Sequence, residues 1–203
     1  MITCYFAPPG SGKTSVLALI AHKEYNRILK GKSSYQRIYT NFPCSDMLCI
    51  RLQDLGDYYI HDSLILLDEV TLDLDNRDWK NVSKGLKEFI TLHRHLNNDI
   101  IYCVQDWSRA EKTLRENTVN LFYIHRSPLP ILRNFVSCKR IFRQLTVNEF
   151  SSEIVLGYRF STFLDSLFQP CRQRFHISKA WQYFDTHDTY GLDERPTLPL
   201  KKW

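Results

Sequence analysis

Between Ala7 and Thr14 the chain reads Ala7-Pro8-Pro9-Gly10-Ser11-Gly12-Lys13-Thr14, which places two glycines, an amine and a hydroxyl within a few residues of one another. Glycines at this spacing let the backbone approach a polyphosphate and turn successive N–H groups inward. Lys13 would then reach the β- and γ-phosphates, and the Thr14 hydroxyl would ligate Mg²⁺. The set expected to hold nucleotide is Pro9, Gly10, Ser11, Gly12, Lys13, Thr14 and Ser15. Ala7 stands where the G-x-x-x-x-G-K-[ST] pattern has its first glycine. A chance Gly/Pro turn is the plain alternative, but a phosphate loop needs a strand before it and a helix after it, and both are legible. Met1 to Phe6 is a short apolar run, and Lys13 to about Lys30 has helical periodicity with Leu17, Ile20, Ala21 and Ile28 on one stripe and Gly31 as its stop. That helix would add its positive N-terminal end to the anion site.

A second cluster lies about fifty-five residues on, where the apolar run Ser63-Leu64-Ile65-Leu66-Leu67 ends in Asp68-Glu69. Two carboxylates at one strand tip permit a division of labour. Asp68 would hold Mg²⁺ through water or through Thr14, and Glu69 would polarise the attacking water. A third strand, Asp99 to Val104, ends at Gln105-Asp106. In a parallel sheet this tip lies beside Asp68, so Gln105 is expected to touch the γ-phosphate or the lytic water.

The intervening elements follow from pattern. A strand spans Arg37 to Asn41, and a helix spans Ser83 to Leu96 with Leu86, Phe89, Ile90 and His93 on one face. Ser108-Arg109-Ala110-Glu111 reads as a capping box opening another helix, and Val119 to His125 reads as a fifth strand. Pro128 and Pro130 mark the exit from this core, after which Phe135 to Arg143 and Glu153 to Phe160 read as antiparallel strands. The expected architecture is α/β: a P-loop NTPase with a parallel sheet flanked by helices, the nucleotide at the C-terminal strand tips, and a small β-rich C-terminal extension. The expected division is an ATPase core over residues 1–126 and a basic extension over 127–203.

Taken together, the loop, the Leu66-Leu67-Asp68-Glu69 tip, His93-Arg94-His95, the run Asp99 to Asp106 and the turn Tyr39-Thr40-Asn41-Phe42-Pro43 resemble the Zot-like (zonula occludens toxin-like) family of filamentous phage assembly ATPases, within the FtsK–HerA class of P-loop motors. The likeness covers Met1 to about Arg126. Near the end, Trp181-Gln182-Tyr183-Phe184-Asp185-Thr186 is similar to an aromatic-Asp-Thr element that precedes a membrane anchor in these proteins. The resemblance implies an ATP- and Mg²⁺-dependent motor at the cytoplasmic face of the host bacterial inner membrane, driving export of a single-stranded DNA phage through the envelope. It also implies a homo-oligomeric ring, such as a hexamer, working with phage and envelope assembly proteins on single-stranded DNA or nucleoprotein cargo. Motors of this kind commonly take an arginine from a neighbouring subunit. Arg94 on the His-Arg-His element is the preferred candidate, with Arg115 and Arg126 as alternatives; its plain reading is a surface arginine on an amphipathic helix.

With 43% hydrophobic and 24% charged residues in 203, one sizeable core is expected, and two globular domains would be crowded. The six cysteines show no C-x-x-C spacing, which points to free thiols in a reducing compartment and disfavours zinc. His93 and His95 are two apart, so they fall on different helix faces and offer no metal pair. No apolar run approaches the length of a membrane span, and the chain as given is expected to be soluble. Family members carry a transmembrane helix after the ATPase domain, so membrane contact is expected to be indirect or through an anchor missing from this sequence.

Residues 1–125 hold 15 basic and 15 acidic residues, so the formal net charge of +5 falls wholly on the remainder. There Arg126, Arg133, Lys139, Arg140, Arg143, Arg159, Arg172, Arg174 and Lys179 interleave with Phe135, Phe142, Tyr158, Phe160 and Phe175, as a groove for single-stranded nucleic acid would require. A solvated face with core aromatics explains the same pattern equally well. Two other functional classes share the nucleotide residues: an FtsK/HerA-type DNA-translocating or packaging ATPase, and a nucleotide-dependent switch with little turnover. Glu69 argues for hydrolysis, and no lid or acceptor-pocket signature suggests a small-molecule kinase.

Overall fold

The computed structural model describes residues 1–52, 54–70, 84–127, 129–147 and 154–184. The elements are β1 (Ile2–Phe6), α1 (Lys13–Leu29), β2 (Arg37–Thr40), β3 (Leu48–Cys49), α2 (Asp54–Asp57), β4 (Ser63–Leu67), α3 (Lys84–Leu92), β5 (Asp99–Val104), α4 (Lys112–Asn117), β6 (Thr118–Arg126), β7 (Phe135–Val147), β8 (Ile154–Phe160), α5 (Phe163–Phe168) and β9 (Arg172–His176). Among the described residues they form one sheet in the order β3-β2-β4-β5-β1-β6-β7-β8, with β9 also paired to β7.

The six strands from β3 to β6 are mutually parallel. Parallel strands are covered on both faces, and this accounts for the uninterrupted apolar runs of β1, β4 and β5. Alternate residues go to opposite layers. Tyr5, Leu64, Leu66, Cys103 and Phe122 pack with Val16, Leu17 and Ala21 of α1. Cys4, Ile65, Leu67, Ile100 and Tyr102 pack with Leu86, Phe89 and Ile90 of α3 and Leu114 of α4. The fold is that of a P-loop NTPase: β5 separates the loop-bearing β1 from β4, so the tips carrying Gln105 and Asp68 are neighbours.

From β7 onward the pairing is antiparallel, and the extension continues the same sheet. One edge of β7 pairs with β6 from Val136 to Ile141. Its other edge is shared: Phe135 to Lys139 pair with β9, and Ile141 to Val147 pair with β8. The tie reaches the loop strand itself, since the Tyr5 hydroxyl donates to Gln173 Oε1 at 2.7 Å.

Several local expectations are corrected. The helix expected from Ser83 to Leu96 ends at Leu92; the Asn98 N–H bonds back to His93 O at 2.9 Å, and Asn97 takes φ +53°, a left-handed turn that asparagine tolerates. Ser108 does not open α4. It lies in a 3₁₀ turn, Trp107–Arg109, capped by Asp106, and α4 is capped by Glu111, whose carboxylate accepts the Leu114 N–H at 3.0 Å. A capping box does occur at Thr162 and Asp165, opening α5. The short β3, α5 and β9 were not expected, and β3 makes Thr118–Arg126 the sixth strand. Ser83, Pro128, Glu153 and everything from Asp185 lie outside the described residues.

Candidate nucleotide-binding site

β1 is buried on both faces and delivers the chain into the loop at Ala7, which is fully buried and donates its N–H to Val104 O of β5. Gly10 and Gly12 have φ of +73° and +90°, values that an L side chain would strain to adopt. Gly12 is the N-cap of α1 and offers no side-chain cap, which leaves the first-turn N–H groups of the helix facing the loop for an anion to satisfy. The Lys13 side chain folds back across the loop. Its ammonium is buried and donates to Ala7 O at 3.0 Å and Pro8 O at 3.3 Å.

Thr14 and Asp68 meet directly, the Thr14 hydroxyl donating to Asp68 Oδ2. Burial pushes the Asp68 carboxyl above the ordinary carboxylate range, against the opposing pull of the Thr14 hydrogen bond and the Lys13 charge. Asn41, just past β2, clamps the same position through the backbone. Its side-chain oxygen accepts the Asp68 N–H at 2.6 Å and its amide donates to the Asp68 carbonyl at 2.9 Å. Glu69 takes φ +46°, and its N–H donates to Asp68 Oδ1 at 3.1 Å. A non-glycine residue held there costs about 1–3 kcal/mol, and such strain gathers at functional sites.

The oxygen pair of Thr14 and Asp68 suits Mg²⁺, which takes one or two protein oxygens together with substrate phosphates and water. Bound between them, the ion would neutralise charge on the β- and γ-phosphates.

A cleft of about 410 Å³ collects Pro9, Gly10, Gly12, Lys13, Thr14 and Ser15 from the loop with Asp68, Glu69 and Gln105 from the neighbouring tips. Arg126, at the end of β6, also borders it and donates to Gly10 O at 3.1 Å. Arg94 is not brought to this cleft. It sits on the turn ahead of β5, at the opposite end of that strand from Gln105, about 20 Å away at 3.3 Å per residue. The expected basic groove is partly committed within the chain. Arg140 donates to Gln169 and Asn120 at 2.8 and 2.6 Å, Arg143 bonds to the Arg115 carbonyl, and Arg159 pairs with Asp165 at 2.7 Å.

Two contributors were not anticipated from sequence. Asn41 was legible only as part of a turn. Ile177, Trp181 and Phe184 line the cleft from the far end of the chain; Trp181 and Phe184 belong to the aromatic-Asp-Thr element, whose resemblance points to a membrane anchor and not to this cleft.

Residues 43–131 match the family model described as Zonular occludens toxin (Zot). Over that stretch, a little under half of its length, the chain is similar to the Zot family. The matched stretch contains the Asp68-Glu69 tip and Gln105 and begins after the phosphate loop. Among solved structures, the N-terminal domain of zonular occludens toxin from Neisseria meningitidis superposes with a TM-score of 0.54 at 15% identity, over 91% of this chain and 98% of that one. The flagellar accessory protein FlaH from Methanocaldococcus jannaschii gives 0.48 at 12%, over 79% and 89%. The genome packaging NTPase B204 from Sulfolobus turreted icosahedral virus 2, in complex with ATP-gammaS, gives 0.45 at 13%, over 76% and 95%. No curated protein matches the chain.

Proposed function

We propose that this chain is the ATP-hydrolysing motor of filamentous phage morphogenesis, powering extrusion of single-stranded DNA virions through the host envelope. The observation that carries the catalytic part is the contact between Thr14 and Asp68, 54 residues apart. It joins the phosphate loop to the acidic tip and sets Glu69 at the edge of the same cleft. In this reading Lys13 and the loop amides bind the β- and γ-phosphates of ATP, and Thr14 and Asp68 hold Mg²⁺. Glu69 orients and deprotonates the attacking water, and Gln105 contacts the γ-phosphate. The protein's work in phosphoryl transfer is positioning and charge neutralisation, which a row of adjacent strand tips supplies.

The Zot likeness supports phage export as the process. The motor would act as a homo-oligomeric ring at the cytoplasmic face of the inner membrane with phage and envelope assembly proteins. No helix among the described residues is long and apolar enough to cross a membrane, so membrane contact in this reading comes through partners or through other parts of the protein.

The test pairs an enzyme assay with a particle assay. The purified chain should hydrolyse ATP with Mg²⁺, and Lys13→Ala should abolish both turnover and the release of virions from cells that depend on this protein. Undiminished ATPase in the variant would remove the catalytic assignment. Lost ATPase with normal virion release would place the motor in another process. Particles that form but stay empty of DNA would favour the packaging reading.

A further inference from the structure

We infer that Trp181 is the stacking platform for the nucleobase, so that the chain binds its nucleotide between a phosphate wall from its start and an aromatic wall from its end. The inference rests on the reading of the cleft as a nucleoside triphosphate site. The cleft that holds Lys13 and Thr14 is also lined by Ile177, Trp181 and Phe184. Phosphates account for the first wall. A flat, uncharged surface beside it fits the remaining part of a nucleotide.

Trp181 is 55% exposed, yet the segment carrying it is firmly fixed. Ile177 and Ala180 are buried in the 3₁₀ turn Ile177–Ala180, and the Ile177 N–H donates to Asn134 O at 2.7 Å. The Tyr183 carbonyl accepts both the N–H and the hydroxyl of Ser45, at 2.8 and 3.1 Å. The Tyr183 ring stacks on His22 with centroids 3.5 Å apart and planes 15° from parallel. His22 belongs to α1, the helix whose first residues are Lys13 and Thr14. Ile177 lies in van der Waals range of the position a Cβ would take on Gly12, at 3.5 Å. The backbone at Trp181 is thus held at a set place relative to the phosphate loop, with the indole left partly toward solvent. A large aromatic ring left beside an anion site offers a flat face that a planar group can cover.

Stacking needs a π-face and makes little demand on the base's edge. The platform therefore predicts a site that prefers the larger purines over pyrimidines and separates ATP from GTP only weakly.

The experiment measures binding of Mg²⁺ complexes of ATP, GTP, UTP and inorganic tripolyphosphate to the wild-type chain, Trp181→Ala, Trp181→Phe and Lys13→Ala. Base stacking lost on truncation predicts that Trp181→Ala weakens ATP and GTP by roughly five- to a hundredfold. It should leave tripolyphosphate affinity unchanged, and Trp181→Phe should recover most of the loss. Unchanged ATP affinity in Trp181→Ala, with ATP binding still dependent on Lys13, would overturn this inference alone. An equal loss for ATP and tripolyphosphate would overturn it too, since Trp181 would then only support the loop. Absence of Lys13-dependent binding of either ligand to the wild type would overturn the nucleotide reading as well.

Discussion

The parallel and antiparallel halves of the sheet contribute to the same cleft by different means. In the parallel half Lys13 is fixed by its own loop and Glu69 by its neighbour Asp68, while Asp68 itself is held by Thr14 and Asn41 from the adjoining elements. The antiparallel half reaches the cleft only after β7, β8, α5 and β9, and what it brings is an aromatic surface on a 3₁₀ turn. Phosphate binding needs many dipoles and charges converging on a small volume, which a short stretch of backbone can supply. Covering a base needs only a flat ring held at the right distance, and any segment that returns to the loop can present one.

The contrast can be sharpened by attacking the halves separately. The largest effect is expected at the far end of the parallel half. If Arg94 acts in trans on a neighbour's nucleotide, turnover per subunit should rise with protein concentration, and Arg94→Ala should abolish that rise, a loss of about 10³- to 10⁵-fold, with ATP binding unchanged. Concentration-independent turnover that ignores the substitution would leave Arg94 a surface residue. Next is Asn41, whose double hydrogen bond fixes the Asp68 backbone. Supports one layer behind a metal ligand are typically worth about 10- to 100-fold, so Asn41→Ala should lower Mg²⁺-dependent ATPase by that factor. Raised Mg²⁺ should recover part of the activity, and a wild-type titration would mean that Asp68 needs no such clamp.

The smallest effects belong to the antiparallel half. If it binds single-stranded DNA, each phosphate contact contributes about 0.7 to the log–log salt slope. Arg133→Ser should flatten that slope. Arg140→Ser should leave the slope unchanged and instead lower thermal stability, because its guanidinium is committed to Gln169, Asn120 and the Phe142 ring. Equal flattening by both would mean that the internal contacts yield to DNA.

The difference between the halves also governs what the amino-acid sequence reveals. β1, β4 and β5 were legible because burial on both faces makes an apolar run, and each ends in a group with evident chemistry. The extent of β7 and the strand β9 were not, since their residues alternate in type and their partners are distant in sequence. Thr162 and Asp165 form a capping box before a helix of only six residues, too short for periodicity to announce it. Ser108 and Glu111 had the right spacing for a box, but Glu111 itself caps α4, and spacing alone could not separate the two. Within the site, Pro9, Gly10, Gly12, Lys13, Thr14, Ser15, Asp68, Glu69 and Gln105 line one cleft, whereas Ser11 and Arg94 do not line it. The Asn41 clamp and the Trp181 wall depend on contacts across the fold, which no local pattern encodes.

The central claim is that the cleft hydrolyses a nucleoside triphosphate, with Glu69 acting on the attacking water. The most direct measurement compares ATP binding and ATP turnover in Glu69→Gln, which keeps side-chain size and removes the carboxylate. The account predicts that Mg²⁺-ATP binds with wild-type affinity while hydrolysis falls by about 10²- to 10⁴-fold, the usual worth of a positioned general base. Turnover at the wild-type rate in this variant would contradict it.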